Sequence, residues 1–76
     1  MKELVEVIAI SLVDHPEQVV VTEKETDHAI LLELHVAPDD MGKVIGKQGR
    51  IAKAFRTVVK AAASRGEKKV VLEIIQ

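Results

Sequence analysis

At 76 residues the chain has room for one domain, 1–76, and a chain this short buries only about 60% of the surface that it exposes unfolded. Its 47% apolar content is enough for a small core, and the absence of cysteine excludes disulfides and thiolate metal sites. The formal net charge of -1 conceals a polarised molecule: residues 1–40 hold ten acids and two lysines, whereas residues 41–65 hold Lys43, Lys47, Arg50, Lys53, Arg56, Lys60 and Arg65 and no acid. Such a division can focus field at one surface and steer an anionic partner there.

Residues 3–13, ELVEVIAISLV, read as a helix with Leu4, Val5, Ile8, Leu12 and Val13 on one face. Val7 and Ile10 lie off that stripe, either packed at its edge or exposed for a partner. Asp14, His15 and Pro16 close the helix, since proline restricts its predecessor and has no N–H to donate. Glu3 and Glu6 interrupt this apolar run, and no run approaches the roughly 18 apolar residues of a membrane helix. A soluble, cytoplasmic chain with no membrane partner is expected.

Residues 17–26 read as a strand with a polar end, and residues 28–36, HAILLELHV, as a second. There Ile30, Leu32, Leu34 and Val36 alternate with Ala29, Leu31, Glu33 and His35, so the first set should face the core. The short polar link through Asp27 predicts a hairpin. Ala37 and Pro38 stop the second strand, and Asp39 is placed to cap a brief helix over residues 40–45. Gly46 to Gly49 breaks that helix. A longer one is predicted over residues 50–64, with Ile51, Phe55, Val58, Val59 and Ala62 inward, a basic last residue at Arg65 and a left-handed glycine cap at Gly66. Residues 69–75, KVVLEII, read as a third strand with Val70, Leu72 and Ile74 inward. The order predicts a two-layer α+β fold, helix-strand-strand-helix-helix-strand, with a three-stranded sheet covered on one face by helices.

The stretch VIGKQGRIAK, residues 44–53, carries the chemistry. Gly46 and Gly49 present no side chains, so another molecule's backbone can come close, and they tolerate dihedrals that other residues avoid. The first-turn amides of the helix that follows have no internal partners and form a seat for phosphate. Lys47 lies in the bend, Lys43 one turn before it, Arg50 and Lys53 just after. A single-stranded nucleic acid offers phosphates in series to such a row. The sole aromatic, Phe55, has a core phase, so bases would be held in an apolar groove lined by Ile45, Ile51 or Leu34 instead of on exposed rings. A P-loop is excluded, because Gly42 and Gly46 are one residue too close and Gln48 stands where a hydroxyl is required; a dinucleotide fingerprint fails on spacing as well.

The segment VIGKQGRIAKAFR resembles the signature of the KH domain, in which a GxxG loop joins two helices and clamps the backbone of about four nucleotides. The element order is similar to the prokaryotic type II arrangement, and length and sequence together resemble the KhpA family of small bacterial single-KH RNA-binding proteins. The resemblance covers essentially the whole chain. It implies that Gly46, Lys47, Gln48 and Gly49 meet the RNA backbone while Ile45 and Ile51 brace the loop. It also implies a post-transcriptional regulator or RNA chaperone touching cell shape and cell wall biogenesis, acting as a homodimer or as a heterodimer with a larger KH-domain protein that carries a second nucleic-acid-binding domain. The acidic first half should repel RNA, so the strand should avoid Glu23, Glu25 and Glu33.

No enzyme is expected. His28 and His35 differ by seven and point to opposite faces of a strand, and neither Ser11 nor Ser64 has a histidine and acid arranged around it. No cofactor or metal is implied. The competing reading is a protein-protein interaction module, using Val7, Ile10 or a sheet edge, whose basic face is not a nucleic-acid site.

Overall fold

The run from Ala29 to His35 organises the molecule, because Ile30, Leu32 and Leu34, two apart, give one strand an apolar face that two neighbours extend. The computed structural model describes residues 1–63, 66 and 68–75. In it α1 spans Lys2–Leu12, β1 Val20–Glu25, β2 Ala29–His35, α2 Met41–Ile45, α3 Arg50–Ala62 and β3 Lys69–Ile75, with 3-10 turns at Pro16–Gln18, Pro38–Asp40 and Lys47–Gly49. The sheet order is β1-β2-β3, with β1 antiparallel and β3 parallel to β2. Parallel pairing needs a long crossover, which α2 and α3 supply. The α+β architecture is therefore the expected one.

The register places Val21 against Leu34, Leu32 against Leu72 and Ile30 against Val70. These inward side chains meet Val5 and Ala9 of α1 and Phe55 and Val59 of α3 to form one core. Leu32 and Leu34 are fully buried, each contributing about 1.5–3 kcal/mol relative to an exposed side chain. The hairpin between β1 and β2 is held by Thr26, whose N–H donates to the Ala29 carbonyl at 2.8 Å while its Oγ1 accepts the Ala29 N–H at 3.0 Å.

Several local expectations are corrected. The first strand starts at Val20, not Glu17, because Pro16 opens a 3-10 turn. Val13 lies past the helix end in an extended conformation, and the α1 residues that are buried are Val5 and Ala9, with Val7 and Ile10 both exposed. On α3 the core side is Ala52, Phe55 and Val59, while Val58 is 45% exposed and Ala62 is exposed. The apolar stripe of α3 is wider than the sheet beneath it, so Ile51 and Val58 turn toward α1. The left-handed cap expected at Gly66 depends on Arg65, which lies outside the described residues, and α3 ends at Ala62. The Ala63 N–H closes α3, donating to the Val59 carbonyl at 3.0 Å. The predicted helix end at Ser64 and Arg65 lies outside the described residues.

Candidate nucleic-acid interface

The bend between α2 and α3 is built from three departures from ordinary backbone within four residues. Gly46 has φ 76° and ψ 173°, a region almost confined to glycine. Gln48 (φ 58°, ψ 25°) and Gly49 (φ 74°, ψ 15°) are left-handed. Ile51 lies directly on Gly46: a Cβ there would sit 2.5 Å from Ile51 Cγ1, whereas a Cβ on Gly49 would meet nothing within 4 Å. Gly46 is thus the closely packed pivot, with Ile51 against it, and Gly49 the open one. Ile45 is half-buried at the end of α2.

Beyond the bend, α3 begins with no side-chain cap and no acid in its first turn. Its free amides and the positive end of its dipole face a surface carrying Lys47, Arg50 and Lys53, all exposed. Among the described residues none of the three has a carboxylate partner; Arg50 reaches only the Gln48 side-chain oxygen, at 3.5 Å. The Gly49 N–H already donates to the Gly46 carbonyl at 3.2 Å and the Arg50 N–H to that of Lys47, so what the loop chiefly offers a ligand is the positive charge of Lys47, Arg50 and Lys53.

Lys43 stands apart from this row. Its ammonium pairs with Asp14 and lies 3.5 Å from Asp40 Oδ1. The hydrogen bond to Asp14 is the largest reason that its pKa is raised above the ordinary lysine value, burial opposing and Asp40 assisting. It is committed to an intramolecular contact that a phosphate would have to share. Leu34, proposed as groove lining, is fully buried beneath the sheet's helical cover and cannot touch a ligand.

Asp39 and Asp40 do not cap their helix. Asp39 is exposed. Asp40 is wholly buried and reaches across the fold: Oδ1 accepts the Asp14 N–H at 3.1 Å and Oδ2 the His15 N–H at 3.0 Å. It ties the end of α1 to the start of the one-turn helix that carries the GxxG bend. Burial alone would raise this carboxyl's pKa; the N–H groups of Asp14 and His15, with Lys43, outweigh it and hold the pKa below the ordinary aspartate value. A depressed folded-state pKa means that stability is present above the unfolded value of about 3.9 and is lost as pH falls through the folded one. Asp40→Asn keeps the shape but presents an NH2 to one of two N–H donors. The variant should be less stable at neutral pH and should lack part of the acid-induced loss seen in wild type, as urea midpoints from pH 7 down to 3 would show. Glu3 and Glu33, whose pKa values are also lowered, remain in both proteins, so the difference isolates Asp40. Parallel pH curves would disprove this role.

A second part of the surface was not singled out from the sequence. Arg56, Val59, Lys60 and the β3 residues Lys69–Leu72 line a groove of about 230 Å³ between α3 and the free edge of the sheet. The Arg56 Nε–H donates to the Leu72 carbonyl across it at 3.3 Å. Lys53, Arg56 and Lys60 follow the helical period along one side of α3, a signal legible in the sequence once the helix is accepted. The acidic residues Glu23 and Glu25 lie on β1, at the opposite edge and about 10 Å away across two strand spacings. There Lys68 pairs with Glu25, and Lys24 lies 3.4 Å from Glu33. Sheet order thus sets Glu23 and Glu25 on the strand farthest from the β3 edge that the basic side of α3 flanks.

Among the described residues no helix is long and apolar enough to cross a membrane, and no group of histidine, aspartate and glutamate is placed to hold a metal ion. The chain as a whole is similar to known proteins. Era from Aquifex aeolicus, bound to GDP.AlF4-, superposes with a TM-score of 0.62 at 22% identity over 96% of this chain and 28% of that one. Era in complex with MgGDPNP and nucleotides 1506-1542 of 16S ribosomal RNA gives 0.59 at 23% identity, with the same coverage. At that identity the likeness establishes the type II KH fold. Sequence relatives are nearer. The RNA-binding protein KhpA of Clostridium perfringens is 71% identical over 75 residues, covering 99% of this chain and 100% of its own. The Listeria monocytogenes KhpA is 57% identical over 76 residues, with both chains covered completely. The family model described as KhpA/KhpB, KH domain, matches residues 2–74, and the chain belongs to the KhpA family of KH-domain proteins.

Proposed function

We propose that this chain, as a single KH domain, binds single-stranded RNA along a path from the GxxG bend into the groove between α3 and β3, and acts by that binding as a post-transcriptional regulator or RNA chaperone. The observation that carries this reading is the continuity of unpaired positive charge with an open helix start. Gly46, Lys47, Gln48 and Gly49 let a sugar-phosphate backbone approach; Arg50 and Lys53 meet the next phosphates; Ile45 and Ile51 hold the bend in place. Lys43 contributes field at the border while remaining tied to Asp14. Relatives named as RNA-binding proteins over their whole length agree with it. The chemistry is recognition, and none of these residues forms a nucleophile and base pair.

One groove is a short binding surface, and two on one particle raise avidity by making the second contact intramolecular. The seam between α1 and α3 supplies a surface for such pairing: Ile8, Leu12, Ile51, Ala54, Phe55 and Val58 line an apolar depression of about 190 Å³. A second copy would present the same seam to itself, and a larger KH-domain partner could present its equivalent. This association adds to RNA binding, whereas the interaction-module reading would replace it.

The test is an amide-shift titration of the protein with a labelled single-stranded RNA, run beside sedimentation equilibrium. Perturbations should concentrate on residues 46–60 and 69–72, with the mass near twice that of one chain. Shifts confined to Glu23, Glu25 and their neighbours would overturn the proposed path.

A further inference from the structure

Arg56 differs from the other cations of the groove in being oriented. Its Nε–H is held by the Leu72 carbonyl at 3.3 Å, and among the described residues no carboxylate competes for the guanidinium. One of five donors is thereby used, and the group is tethered to the β3 edge. The terminal NH2 groups remain, side by side, as a two-pronged donor on a residue that lines the groove. The groove, at about 230 Å³, lies below the roughly 300–1,000 Å³ of small-molecule pockets and suits one planar ring. Of its apolar lining Val59, Val70 and Leu72 are buried and Val71 half-buried, so it offers a ring a shallow apolar floor but no direction. The chain has no tryptophan or tyrosine, and Phe55 is 3% exposed, so no aromatic face competes for the base. Discrimination has to come from edge hydrogen bonds.

Resting on the RNA-binding reading above, we propose that Arg56 is the specificity-determining residue of the groove and selects a base with two neighbouring hydrogen-bond acceptors. Two bases have that edge: guanine at O6 and N7, and cytosine at O2 and N3. Adenine sets its N6 amine beside each ring acceptor, and uracil sets N3–H between its two carbonyls. Against either, one prong of the fork meets a donor and a buried polar group is left unpaired. Lysine cannot substitute, because its ammonium is a point charge without a fixed fork.

The experiment is anisotropy titration of wild type, Arg56→Lys and Arg56→Gln with labelled hexanucleotides of adenine, uracil and cytosine and with one alternating adenine and guanine. Melting curves by circular dichroism establish that each variant is folded. Wild type should bind the guanine-containing or the cytosine oligonucleotide about ten-fold more tightly than the adenine and uracil ones. Both variants should lose that preference, the affinities for the four oligonucleotides converging. Replacing guanine by 7-deazaguanine, or cytosine by 3-methylcytosine, identifies which base is read, since each removes one acceptor of the pair. A preference that survives the relevant replacement, or that persists in Arg56→Lys, overturns the assignment. So does a uniform loss across all four oligonucleotides in Arg56→Gln with a reduced salt slope, which would mark a phosphate contact. Wild-type binding without preference leaves RNA binding intact and removes only this role for Arg56. Failure to bind any oligonucleotide removes both.

Discussion

Gly46→Ala is expected to lose a large part of the protein's stability, whereas Gly49→Ala should cost far less. The two glycines look equivalent in sequence and have nearly equal φ, but their surroundings differ. At Gly46 the conformation itself costs a substituted residue about 1–3 kcal/mol, and the added methyl would overlap Ile51, with Cγ1, Cβ and Cδ1 all within 2.9 Å. Overpacking of that kind adds about 1–3 kcal/mol more. A chain of 76 residues has a total stability of roughly 4–11 kcal/mol, so about half of it is at stake. At Gly49 the left-handed conformation costs about 1–2 kcal/mol and the space is open. Urea denaturation of both variants gives the comparison directly. Equal losses would mean that Ile51 does not brace the bend. RNA affinity should also fall in Gly46→Ala, because relief of the overlap moves Ile51 and with it the first turn of α3.

Replacing Lys47 and Gln48 together by aspartate should have the opposite profile, with folding preserved and binding lost. Both side chains are exposed, and aspartate tolerates the left-handed backbone at position 48 better than most residues. The change removes one positive charge and adds two negative ones within a row that also holds Arg50 and Lys53. A phosphate arriving at the open helix start would meet repulsion there. The expected loss is about 100-fold at low salt, shrinking as salt rises because the term is electrostatic and screened. Circular dichroism and a gel-shift titration at two salt concentrations measure it. A folded double variant with wild-type affinity would sink the loop as the RNA contact.

The parts of this molecule that were legible in its sequence are those set by near neighbours. The alternation from Ala29 to His35 identified β2 and its inward residues. The spacing of two glycines ahead of a basic amphipathic helix located the bend, and periodicity with its turn signals set out the order of elements that the KH resemblance then matched. What was misread depends on residues distant in sequence. Asp40 at a helix start reads as a cap, yet its partners are the N–H groups of Asp14 and His15, some 25 residues away. Lys43 reads as one of a basic row, but the same region of α1 takes it out of that row. On α3 the apolar residues spread over about half the helix, and nothing local says that the core under the sheet takes Val59 while Ile51 and Val58 line the seam with α1. Leu34 was offered as groove lining because periodicity names a face without saying how deeply the helices will cover it. Arg56 and Lys60 were visible as charges, but their role needed the parallel strand that closes the groove beside them.

The parallel pairing of β2 with β3 has a consequence for how the binding surface comes into being. The hairpin of β1 and β2 joins residues close in the chain and can form early. The register of Ala29 with Lys69 and of His35 with Ile75 cannot be reached until everything between them has been laid down. The GxxG bend lies inside that intervening segment, and one wall of the groove is the arriving strand itself. A nascent chain that has not yet released residues 69–75 from the ribosome has the loop but not the groove. Competence to grip an RNA should therefore arise late and in a single step, together with closure of the sheet.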